Sequence, residues 1–168
     1  MSLSMYQASV PVFARALANL RHVLQKGEAH AKAKGIDDAV LLQTRLIPDM
    51  LPLVKQVQIA CDMACRGAAR LAGEEPKGFE DNEATMAEVY DRIDRAIAYV
   101  QSFDAAKIDG SETRAIQLKM RNGELNMDGQ SYLLQFIQPN LYFHCTTAYN
   151  LFRGMGVDLG KTDFVGAL

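Results

Sequence analysis

The sequence predicts an all-α protein, a four-helix bundle with a β-hairpin inserted between its third and fourth helices. Three observations carry this. Four long stretches repeat apolar residues every three or four positions, the spacing that gathers them on one face of an α-helix. One short stretch alternates apolar and polar residues on either side of Asn122-Gly123 instead. The 168-residue chain, 49% hydrophobic and 23% charged, is long enough to bury such a core as one domain spanning residues 1–168.

The first helix is expected from about Leu3 into the late twenties, with Tyr6, Val10, Phe13, Leu17, Leu20 and Leu24 as its stripe. Pro11 inside that stripe predicts a kink or a restart, because proline has no N–H to give the helix ladder. Gly35 reads as a stop, and Asp37 or Asp38 as the cap of a short helical turn bearing Leu41 and Leu42. The second helix is expected to begin near Pro48-Asp49, with Asp49 as its cap and Pro52 in its first turn. Its inward line runs Met50, Val54, Val57, Cys61, Cys65, Ala68 and Ala72, with Gln58 inside the line and Asp62 beside it.

The segment Gly73-Glu74-Glu75-Pro76-Lys77-Gly78 reads as a loop. A third helix from about Asn82 to Phe103 presents Met86, Val89, Tyr90, Ile93, Ile97 and Val100. The hairpin follows. A two-residue turn at Asn122-Gly123 puts Arg121 opposite Glu124, Met120 opposite Leu125 and Leu118 opposite Met127, with the apolar residues on one face. The fourth helix is expected from about Gln130-Ser131 to the glycines at 154 and 156, interrupted or bent at Pro139. The remainder to Leu168 reads as a tail, ordered at its start and frayed at its end.

Composition excludes several function classes. Net charge is −2 and the basic residues are scattered, so no nucleic-acid footprint is present. No apolar run reaches the roughly 20 residues of a membrane span. No charged and then apolar leader is visible, and three cysteines make no disulfide framework, so a cytoplasmic protein is expected.

Candidate chemistry centres on His144. It lies on the most apolar line of the fourth helix, with Leu133, Ile137, Leu141, Ala148 and Leu151 within roughly 60° at about 100° per residue. A buried polar ring needs a partner, since an unpaired one costs about 1–3 kcal/mol. His22 and His30 point away from the first stripe and are expected at the surface. Gln58 and Asp62 of the second helix are the groups expected to meet His144, with Thr147 one turn along its own helix. That makes a polar ligand-binding pocket between the second and fourth helices. Cys61, Cys65 and Cys145 read as packing groups, with a thiolate–imidazole site as the competing idea. Tyr142, Phe143, Tyr149 and Phe152 make the fourth helix apolar on its other sides as well. Something must cover its back, and a homodimer is expected to do so.

Several of these runs resemble a known family. Met5-Tyr6-Gln7-Ala8-Ser9-Val10-Pro11-Val12-Phe13, Pro48-Asp49-Met50-Leu51-Pro52 through Gln56-Val57-Gln58, Tyr142-Phe143-His144-Cys145-Thr146-Thr147-Ala148-Tyr149 and Gly156-Val157-Asp158-Leu159-Gly160-Lys161 are similar to a bacterial family of unknown function. That family is grouped with the DinB/YfiT-like metalloenzymes. The resemblance implies a four-helix bundle, often dimeric. It also implies a divalent metal such as zinc or nickel, held by a histidine of the second helix and an HxxxH pair of the fourth; some members of the wider group are thiol-dependent isomerases or transferases. His144 matches the first histidine of the pair and is the implied metal ligand. Ala148 stands at the second position, and the second helix offers Gln58 or Asp62 instead of histidine. Two functions follow: a small-molecule-binding or metal-dependent protein, or a non-catalytic dimeric bundle with a degenerate, metal-free site.

Overall fold

Residues 3–120 and 122–167 are described by the computed structural model. Among them four long helices form the bundle: α1 (Val10–Ala33), α3 (Leu53–Leu71), α4 (Met86–Gln101) and α7 (Gln138–Gly154). Shorter helices are α2 (Asp38–Leu42), α5 (Ala105–Ile108), α6 (Gly129–Ser131) and α8 (Lys161–Val165). A π-helical turn, Tyr132–Ile137, joins α6 to α7, and β1 (Ile116–Met120) pairs with β2 (Gly123–Met127). The expected fold class is therefore present, hairpin included.

Helix starts follow local chemistry. Pro11 stands in the first turn of α1, where its missing N–H costs nothing, so it marks a restart and introduces no kink. Thr85 and Glu88 close a capping box on α4. Two expected caps are corrected. Asp49 does not cap the second long helix, which begins later, with Pro52 in the capping position. Asp37 precedes α2 without a side-chain cap bond, while Asp38 Oδ2 accepts from the Met86 amide and so ties α2 to the start of α4.

Pro139 leaves the helical ladder one donor short. The chain answers with the wide π turn just before it, in which the Gln138 amide donates five residues back to the Leu133 carbonyl. The Asn140 side chain donates to the Phe136 carbonyl at 2.6 Å.

Named contacts give the topology. An added Cβ on Gly67 would lie 2.9 Å from both Phe13 and Ile137, so α1, α3 and the π turn leading into α7 converge there. Tyr90 meets Glu28 and Asp94 meets Arg21, so α1 and α4 run antiparallel. Cys65 approaches Ala96 and Asp62 meets Arg92, so α3 and α4 run parallel. Two parallel neighbours need a long crossover, which residues 72–85 supply. Going round the bundle the order is α1, α4, α3, α7, and buried apolar residues from all four helices merge into one core.

The hairpin register is corrected. Leu118 pairs with Leu125, Ile116 with Met127 and Met120 with Gly123, so Lys119 is the residue opposite Glu124. The expected Arg121–Glu124 pairing falls partly outside the described residues. Moving the pairing partner by two positions leaves Ile116, Leu118, Leu125 and Met127 on one shared face, which is why the apolar pattern alone could not discriminate. Gly123, at φ +139°, opens β2 in a region that favours glycine.

The tail is also corrected, because α8 is strapped onto α1. Arg15 Nη2 donates to the Val165 and Ala167 carbonyls, Asn19 Nδ2 to Val165 O, and His22 and Lys26 both meet Asp163. This strap covers part of the back of α7, with Phe164 edge-on to Tyr149.

Candidate functional site

His144 is buried on α7 and meets a polar group from another helix, as the periodicity requires of it. That group is Gln56 of α3, whose Oε1 lies 2.7 Å from His144 Nδ1. Gln56 Nε2 donates to the Leu51 carbonyl at 3.0 Å, which turns its oxygen toward the ring. An amide oxygen only accepts, so Nδ1 carries the proton and donates, and Nε2 is left with its lone pair. Burial pushes the imidazole below its ordinary value of 6.5, so the neutral form is favoured. Phe143 stacks edge-on against the ring at 5.2 Å.

The other expected members lie elsewhere. Thr147 Oγ1 donates to the Phe143 carbonyl one turn back on its own helix. Gln58 and Asp62 face α4 and gather around Arg92, whose side chain has no exposed surface. Arg92 Nη1 donates to Glu83 Oε1 at 2.9 Å and to the Glu80 carbonyl at 3.0 Å. Its Nη2 meets Asp62 at 2.9 Å and Asp81 at 3.0 Å. Gln58 Nε2 donates to the second oxygen of Glu83 at 2.7 Å. Burial opposes the charge on Arg92, but the bond to Glu83 together with the nearby negative groups, Asp62 among them, raises the guanidinium overall. This cluster pins the crossover between α3 and α4. Arg92 was missed in the sequence, although its spacing from Val89 and Ala96 places it on the α4 stripe.

The residues do not fit the metal the resemblance implies. Around His144 the donor is a carboxamide already bonded on both sides. Glu83 is paired with Arg92, and Asp62 with both Arg92 and Arg66. Among the described residues no group of three or more His, Cys, Asp or Glu side chains could hold a metal ion. The three cysteines are free and buried. Burial raises all three thiols, Cys65 and Cys145 to about 12, so none is a ready thiolate. His22 is exposed beside Asp163, while His30 is half-buried, contrary to its expected outward position.

A cavity opens on the opposite side of α7 from the α3 seam. It measures about 380 Å³ between α1, α7 and α8, walled by Val12, Ala16, Tyr142, Cys145, Phe164 and Val165, with Arg15 and Asn19 as its polar members. Burial raises the Tyr142 phenol, which Arg15 partly opposes. No sequence signal pointed here, because the cavity exists only once α8 has folded back.

Comparison with known proteins agrees with the fold. A family model described as a domain of unknown function, DUF1993, matches residues 5–165. The crystal structure of a DinB family member protein from Shewanella denitrificans is 38% identical, with a TM-score of 0.88, covering 97% of this chain and 92% of that one. Among curated proteins none matches the chain. Among the described residues no helix is long and apolar enough to cross a membrane.

Proposed function

For a chain that belongs to the DUF1993 family and has the fold of a DinB family member, we propose a small-molecule-binding role centred on the cavity between α1, α7 and α8. The supporting observation is the cavity itself. At about 380 Å³ it has the size of a ligand site, and its walls are apolar with a few polar groups. The proposal moves the expected pocket away from His144, Gln58, Asp62 and Thr147. Each of those side chains makes at least one bond within the fold, through His144 Nδ1, Gln58 Nε2, the Asp62 carboxylate and Thr147 Oγ1, and no reaction is assigned to them.

The test is a two-dimensional amide NMR screen with a small-molecule panel. Binders should shift resonances of residues 12–19, 142–145 and 161–165, and Ala16→Phe should remove those shifts by filling the space. Shifts clustered instead around Gln56 and His144 would move the site back to the α3–α7 seam and refute this reading.

One observation favours a second reading, self-association. Phe143 is 56% exposed on α7 and Leu51 is 44% exposed, both beside the His144–Gln56 pair. Sedimentation of the protein at micromolar concentration decides it: a dimer that dissociates on Phe143→Glu supports the reading, and a monomer ends it.

A further inference from the structure

Resting on the cavity reading above, we propose that the ligand is a small amphipathic anion, a monocarboxylate with an apolar body, whose head is held by Arg15. Arg15 is the one charged residue among those that line the cavity. Its Nη2 is engaged by the Val165 and Ala167 carbonyls. Carbonyl oxygens orient a guanidinium without cancelling its charge. Nη1 and Nε make no hydrogen bond among the described residues, and no carboxylate there pairs with Arg15. The strap therefore holds a cation at the edge of an apolar cavity with part of its donor fork free. A planar carboxylate matches that fork, and the apolar body has Val12, Ala16 and Phe164 to lie against.

Charge balance narrows the class further. On the strap side, His22 and Lys26 already meet Asp163, while Lys161 at the start of α8 lines a separate cavity with Tyr149. Among the described residues Arg15 is the one positive charge lining the cavity, and one carboxylate matches it. A phosphate monoester would bring a second negative charge with no partner, and an uncharged alcohol would leave the guanidinium unanswered.

Octanoate and 1-octanol share a chain and differ in the head, so titrating each into the full-length protein by amide NMR separates charge from burial. Octanoate is expected to bind about tenfold tighter, the scale of one charge-assisted hydrogen bond. Arg15→Met should erase that preference, with α8 still held through Asn19, His22 and Lys26, and Arg15→Lys should restore part of it. Asp163→Asn loosens the strap without touching Arg15 and should leave the preference intact. Equal affinities in the unaltered protein, or a preference that survives Arg15→Met, would overturn the charge assignment and leave the cavity reading standing. If neither probe shifts residues around the cavity at millimolar concentration, both readings fall.

Discussion

Replacing Arg92 with methionine removes the charge at the α3–α4 seam while keeping much of the side-chain volume. Its partners differ in how deeply they lie. Asp81 is 45% exposed and Asp62 20%, so water screens both, and each contributes about 0–1 kcal/mol. The Glu83 side chain is 2% exposed, and without Arg92 its carboxylate keeps one amide donor from Gln58. A buried charge stripped of its partner costs about 3–5 kcal/mol, so Glu83 dominates the expected loss. Arg92→Met combined with Glu83→Leu removes the orphan, and the double variant should lose only about 1–2 kcal/mol. Urea unfolding followed by far-ultraviolet circular dichroism measures all three variants. A single-variant loss below about 1 kcal/mol, or a double-variant loss equal to the sum of the two singles, would refute the claim that Glu83 needs Arg92.

Three further outcomes are expected. The His144 imidazole, lowered by burial, binds fewer protons folded than unfolded. Stability contributed by its neutral form is therefore complete above pH 6.5 and declines as pH falls below it, a slope that His144→Gln should flatten in pH-dependent unfolding. Gly27 and Gly154 should respond oppositely to alanine. At Gly27 a Cβ would overlap the buried Phe152 ring, and overpacking of about 1–3 kcal/mol outweighs helix propensity, whereas Gly154 has open space and should gain about 0.5–1 kcal/mol. Thermal unfolding of both variants checks the signs. The Asp163 carboxyl is held well below its ordinary 3.8 by the Gly160 amide, His22 and Lys26. The strap should accordingly stay latched from pH 7 to pH 5 and loosen only as pH falls below 3.8. Asp163→Asn should speed amide exchange across residues 161–165 at neutral pH.

Apolar periodicity was enough to find the long helices, the hairpin and the burial of His144, because each depends on residues within a few positions of one another. Caps were less legible: Asp49 and Asp37 have the right chemistry, but the Gly-free stretch before Leu53 takes another path and Asp38 serves a different helix. The error over Gln58 is more instructive. Gln56 and Gln58 are separated by about 200° around α3, and both are buried, because α3 has a neighbour on each side. Periodicity shows that a glutamine faces inward without showing which helix it faces. Gln58 and Asp62 share the side toward α4 and meet Arg92; Gln56 lies toward α7 and meets His144.

Local pattern and composition were thus sufficient for the elements and their inward faces. The cyclic order α1, α4, α3, α7 selected the partner of every buried polar group, and the return of α8 onto α1 created the cavity. Both depend on how helices distant in the chain are set beside one another. That arrangement is chosen by the summed packing of the whole core, and no single segment records it.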